Sequence, residues 1–213
     1  MPPAPVGPAS VPALPRPRSE APARGAGQVR RAPVRLRLPG RSLLLVAGMP
    51  GAGKSTLLAR VLRSPGLVVL DSDVHRAALA RRLPGVAYRR YRPLVHLLHR
   101  LALLRAACSG ASTVVVHLPA TTAFTRAAVA LLAALTGRTA HLLWLHVDPE
   151  EALAGQRDRG RLVPSGSFAG HARRAVATHA RLRRRRPWGF RGVTLLDRTA
   201  ARAGLVLDTC SVQ

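Results

Sequence analysis

The chain contains no asparagine, no isoleucine and one lysine, Lys54, among 34 basic residues. Without asparagine, a base-reading Asn-Lys-x-Asp element cannot exist, which excludes the GTPase pattern built on it. Cysteine is scarce. Cys108 and Cys210 can make neither a disulfide framework nor a four-ligand zinc site; this usage suits a reducing compartment, so a cytoplasmic location is expected. No apolar run approaches the ~18 residues of a membrane span. The run from Ser42 to Ala47 is too short for one and lies too deep for a signal peptide. No membrane partner is expected. Aromatic residues are 3% of the chain, few for stacking on single-stranded nucleic acid. Acids number nine, which leaves a net charge of +25. Such an excess points to a polyanionic partner, nucleic acid above all. A G/C-rich codon supply, which favours Ala, Arg, Pro and Gly over Lys, Asn and Ile, accounts for the same excess with no partner. Both explanations stand. Either way, a lysine kept by a chain that avoids lysine marks a task that arginine cannot perform.

What remains is a chain of 213 residues, 47% apolar, long enough for one ordinary domain with a sizeable core plus a tail. Residues 1–40 hold ten prolines, seven arginines, one acid and no aromatic residue. Such a composition cannot bury enough apolar surface to offset the entropy of ordering, so this segment reads as a disordered tail. Residues 41–213 read as the folded domain. Short apolar runs at Ser42–Ala47, Leu67–Leu70, Thr113–Val116, His141–Val147 and Val193–Leu196 predict buried parallel strands. Helical stretches lie between them: Lys54–Arg63, Val74–Arg82, Pro93–Cys108, Thr122–Leu135, Glu150–Arg159 and Ser167–Arg185. Pro93, Thr122 and Pro149-Glu150-Glu151 carry the chemistry of helix starts. The rhythm predicts an α/β fold with a parallel five-stranded sheet and helices on both faces.

Gly48-Met49-Pro50-Gly51-Ala52-Gly53-Lys54-Ser55 matches G-x-x-x-x-G-K-[ST] and passes from an apolar strand into a helix, the context that gives the motif its meaning. Glycines let backbone N–H groups turn inward around phosphate oxygens, and a helix N-terminus adds partial positive charge. Lys54 reaches the β- and γ-phosphates as a compact charge on a flexible stem. Ser55 supplies a hydroxyl for Mg²⁺, with Thr56 beside it. The motif predicts an ATP site spanning residues 48–56 with Mg²⁺ at Ser55.

The second strand ends in Asp71-Ser72-Asp73-Val74-His75-Arg76, at the carboxyl edge where open α/β sheets bind ligands. A carboxylate there can accept the proton of an attacking hydroxyl, and an arginine one helical turn on can hold an anionic substrate group. Helix capping is the competing reading, stronger for Asp71 than for Asp73. The P-loop followed by a strand ending Asp-x-Asp-x-x-Arg resembles the P-loop kinases that include bacteriophage polynucleotide kinase, chloramphenicol phosphotransferase and zeta toxins, over about residues 42–210. The resemblance implies a nucleoside-kinase-like P-loop fold, Asp73 as catalytic base and Arg76 as acceptor contact. It also implies an arginine-bearing lid after the fourth strand, here Gln156-Arg157-Asp158-Arg159-Gly160-Arg161. Arg157 and then Arg161 would stabilise the transferring phosphoryl group in that lid. The same layout puts Asp197-Arg198 near the adenine.

One departure is plain. The third strand ends His117-Leu118-Pro119, with no Walker B acid. That weakens a ring or motor ATPase reading and leaves open how Mg²⁺ is held. His117 reads first as a hydrogen-bonded structural histidine and second as a ligand or acceptor contact. Arg126 is read equally as a functional or a surface arginine. The run Arg181–Arg186 is either a solvated helix end or a track for a polynucleotide backbone. Tyr88-Arg89-Arg90-Tyr91-Arg92 lies where acceptor specificity would be built. Two functions compete. One is an ATP-dependent phosphotransferase acting on a hydroxyl of a small molecule or a polynucleotide 5′ end. The other is a non-catalytic, regulatory ATP-binding protein, in association with nucleic acid.

Overall fold

The computed structural model describes residues 32–61, 64–157 and 165–210. Strands β2 (Ser42–Gly48), β3 (Leu67–Leu70), β4 (Thr113–His117), β5 (Thr139–Leu145) and β6 (Phe190–Leu196) form one parallel sheet in the order β3-β4-β2-β5-β6. The P-loop strand is therefore central. Leu44 stands between Val115 on one side and His141 on the other, and every residue of β2 is buried. A strand sealed on both faces needs an uninterrupted apolar run, and Leu43-Leu44-Leu45-Val46-Ala47 supplies it.

The helices are α1 (Lys54–Ala59), α2 (Ser72–Arg82), α3 (Tyr88–Ala107), α4 (Ala123–Leu135), α5 (Pro149–Arg157), α6 (Ser165–Arg184) and α7 (Arg198–Ala203). Helix α3 packs against β3 and β4, α4 against β2 and β5, and α1 against β2 and α7. Side chains cap the starts of α2, α4 and α7. Asp71 accepts from the Asp73 N–H, Thr122 from the Thr125 N–H and Asp197 from the Ala200 N–H. Helix α3 begins at Tyr88, five residues before the expected start. Pro93 lies inside it and has no N–H to offer the carbonyl of Arg89.

Part of the segment read as a tail forms a strand. Val34–Pro39 forms β1, which pairs in parallel with β7 (Leu205–Cys210) in a separate two-stranded sheet, Val34 opposite Leu205 through to Pro39 opposite Cys210. Leu38 is fully buried in the main core, with Leu36 packed against it, while Arg35 and Arg37 face solvent. Val61, just past α1, bridges to Leu205. Among the described residues, no helix is long and apolar enough to cross a membrane.

One buried arginine ties the fold together. Arg138, between α4 and β5, donates to the carbonyls of Ala106 (3.3 Å), Ala107 (2.7 Å), Ser109 (2.8 Å) and Ala111 (2.8 Å). These carbonyls belong to the end of α3 and the turn into β4, where helix geometry leaves acceptors without partners. Arg138→Met is expected to lower unfolding free energy by about 3 kcal/mol, because charge-assisted bonds to several buried carbonyls vanish together. Urea denaturation measures it; a loss under about 1 kcal/mol would mean that water replaces the guanidinium.

Candidate functional site

The loop from Gly48 to Lys54 links β2 to α1 at the carboxyl edge of the sheet. All three of its glycines are required by geometry, and a Cβ on Gly48 (φ 148°) would run into the Leu145 carbonyl. Gly51 (φ 90°) has no room for a side chain, since a Cβ there would run into the Ala152 carbonyl of α5; Gly53 (φ 98°) is the left-handed residue that opens α1. The Lys54 side chain is 5% exposed. Its ammonium donates to the carbonyls of Gly48 (2.9 Å) and Met49 (2.7 Å), so the loop closes around it. From α5, Gln156 Nε2 donates to the Pro50 carbonyl at 3.1 Å. A cavity of about 160 Å³ adjoins the loop, lined by Ala52, Gly53, Thr56, Arg198, Ala201 and Arg202. Arg198 is fixed in turn by a 2.8 Å bond from Nη1 to the Glu151 carbonyl.

Beside the loop lies a chain of polar groups that the sequence did not disclose. Asp71 caps α2 and also accepts from His117 Nδ1 at 3.1 Å, and the Ser55 hydroxyl is near enough to favour its charged form. Burial alone would raise the Asp71 pKa. The His117 hydrogen bond, the Asp73 N–H and the Ser55 hydroxyl outweigh it and hold the carboxyl well below the usual range. His117 is shifted the other way from a charged partner: burial, reinforced by the Lys54 ammonium, lowers its pKa despite Asp71. A neutral imidazole facing a carboxylate must carry its proton on Nδ1. Behind it, His99 Nε2 donates to the His117 carbonyl at 2.9 Å.

The residues expected to carry Mg²⁺ can be tested against this cluster. Ser55 and Asp71 offer oxygen donors in one place, which suits a hard cation that completes its shell with phosphate oxygens and water. Among the described residues, no group of three His, Cys, Asp or Glu side chains can hold a metal by itself. The donor set thus fits Mg²⁺ arriving with a nucleotide. Asp71 reaches from β3 toward the place where a Walker B acid on β4 would stand, and His117, the β4 residue at that place, anchors it.

Asp73 sits in the first turn of α2 with Arg76 Nη1 3.9 Å away. The Arg76 guanidinium lies over the Tyr88 ring at 4.9 Å from its centroid, a cation–π contact, and Tyr88 meets Tyr91 edge-on. The first turns of α2 and α3 thereby bring together Asp73, Arg76 and the Tyr88–Arg92 cluster. Arg157 ends α5 and is exposed; Arg161 and the rest of the expected lid lie outside the described residues. Arg126 is not a surface residue. It is buried, its Nη1 donating to the Ala120 carbonyl at 2.8 Å. The run Arg181–Arg186 ends α6 with only Leu182 buried.

Several histidines are held neutral. Burial lowers the pKa of His99, His117 and His141, with neighbouring positive charge adding to it for His117 and His141. The unfolded chain then takes up protons near pH 6.5 that the folded chain refuses. Stability is complete above that value and falls as pH falls, by up to about 1.4 kcal/mol per pH unit for each histidine kept neutral. Asp71 adds a separate loss only below about pH 4. The urea midpoint should therefore drop between about pH 7.5 and 5.5, and His99→Gln should flatten that slope. A flat midpoint in the wild type would contradict it.

Residues 43–188 match the family model described as an AAA domain. No curated protein matches the sequence. Among solved structures, the chain is similar to a candidate kinase from Chloroflexus aurantiacus j-10-fl (TM-score 0.54, 17% identity, 74% of this chain and 85% of that one). It is also similar to a chain of the PezAT toxin–antitoxin system of Streptococcus pneumoniae (0.51, 15%, 79% and 71%) and to a gluconokinase from Sinorhizobium meliloti 1021 (0.48, 16%, 76% and 89%). At these identities the likeness is one of fold.

Proposed function

Because the chain belongs to the AAA domain family, we propose that its P-loop binds ATP and that the site transfers the γ-phosphoryl group to a hydroxyl of an acceptor. One observation carries the reading. Asp73 sits in the first turn of α2, two residues after Asp71 at the carboxyl edge of the sheet, and its carboxylate has Arg76 Nη1 at 3.9 Å. That sets a base beside a cation able to orient an acceptor.

In the proposed reaction, Lys54 and the amides of residues 48–56 hold the phosphates. Mg²⁺, held by Ser55 with Asp71 behind it, would offset charge on the phosphate oxygens. The acceptor hydroxyl gives its proton to Asp73 as its oxygen bonds the γ-phosphorus, and the bond from that phosphorus to the departing ADP oxygen breaks. Arg76 orients the acceptor. Arg157 and Arg161 are assigned to the charge that spreads over the three transferring oxygens. The kinase structures among the chain's neighbours agree with this class of chemistry and leave the acceptor open.

The test is label transfer from [γ-³²P]ATP and Mg²⁺ to 5′-hydroxyl oligonucleotides and, separately, to a pool of small hydroxyl compounds. Label on either supports the proposal and names the acceptor class. ATP bound without transfer to any acceptor would favour a regulatory ATP-binding protein instead.

A further inference from the structure

Helix α3 has two apolar faces, and the fold uses one. Its inner face buries Tyr91, Val95, His99 and Leu103. On the opposite side Leu94, Leu97, Leu101 and Leu104 project into solvent, each between 41% and 52% exposed. Their spacing of three, four and three residues is the seam of a coiled coil, which a solvent-facing helix side has no reason to carry. The next helix of the same layer, α4, touches α3 and shows Phe124 (84% exposed), Leu131 and Leu135 on its outer side. Its single charge, Arg126, points inward. The two helices together present an apolar surface larger than scattered surface leucines account for.

Charge says what covers it. Helix α3 contains five arginines and no acid; Arg100 and Arg105 flank the leucine seam at the positions that choose a partner in paired helices. A second copy of this chain would set arginine against arginine. We propose that the α3–α4 face is the docking site for an amphipathic helix of another protein, leucine-rich on its contact stripe and acidic on the flanks. Leucines of the incoming helix pack between the α3 seam and the α4 ridge, and its carboxylates meet Arg100 and Arg105.

The probe is a fluorescein-labelled peptide of about four heptads, with leucine at the two seam positions and glutamate at the flanking ones, read by fluorescence anisotropy against the full chain. A matched peptide carries lysine in place of glutamate. Saturable binding of the glutamate peptide alone is expected, weakened at least about tenfold by Leu97→Gln with Leu101→Gln. Both leucines are half exposed, so the variant should keep its fold, read by circular dichroism. Arg100→Glu with Arg105→Glu supplies a second arm and should shift preference to the lysine peptide. No saturable binding, or equal binding by the glutamine variant, would overturn the proposal. So would light scattering that finds a wild-type dimer turned to monomer by the glutamine variant; the face would then belong to a second copy.

Discussion

Phosphoryl transfer, if the proposed reaction holds, is expected to fall by about two to three orders of magnitude in the Lys54→Arg variant, although the charge is kept. The Lys54 stem is buried, and its ammonium fits within 3 Å of two loop carbonyls, those of Gly48 and Met49. A guanidinium is planar, larger and fixed in a fork, so it cannot keep these contacts and also pivot onto the phosphates. Thirty-three arginines against one lysine make this the natural substitution to test, since nothing in the composition of the chain opposes it. Titration calorimetry should show weakened ATP binding, and a label-transfer assay the lost rate. Activity within tenfold of wild type would mean that the position tolerates any cation and that its lysine carries no special task.

Asp73→Asn should lower kcat by about 10²- to 10⁴-fold, the usual worth of a positioned base, with ATP affinity unchanged. The amide keeps the size of the side chain and removes its ability to take a proton. Asp71, two residues earlier, is the helix cap and accepts from His117. The separation of kcat from binding is the decisive readout. A fall in ATP affinity that matches the fall in rate would move Asp73 from the acceptor side of the site to the nucleotide side.

The five strands of the main sheet and the helices of the crossovers were readable because each is a local pattern, an apolar run or a capped amphipathic stretch. The P-loop was readable for the same reason, being contiguous. The Ser55–Asp71–His117 chain was not. Its members come from α1, the end of β3 and the end of β4, and they meet only because β3 lies beside β4 and β4 beside β2, an order that no local pattern encodes. Capping and proton acceptance were the two readings of Asp71; its carboxylate caps α2 through the Asp73 N–H and takes the His117 imidazole as well. Strand β1 was missed for a different reason. Proline and arginine dominate residues 1–40, and that average hid the alternation of Val34, Leu36 and Leu38 with Arg35 and Arg37, a period-two signal in plain view. Arg126 was left open because one arginine among thirty-three carries no mark of burial.

The pairing of β1 with β7 also sets an order of events in synthesis. Among the described residues the first strand made, β1, has the last, β7, as its partner, so this pair cannot close until residues 205–210 have been made. Until then Leu36 and Leu38 lack the neighbours that cover them, and the backbone of β1 offers a bare edge. Closure of so long a loop comes late, after the P-loop sheet has assembled from shorter crossovers. The small sheet is therefore the final latch of folding, and a chain cut short before Leu205 would carry a finished nucleotide loop in a domain that never shuts.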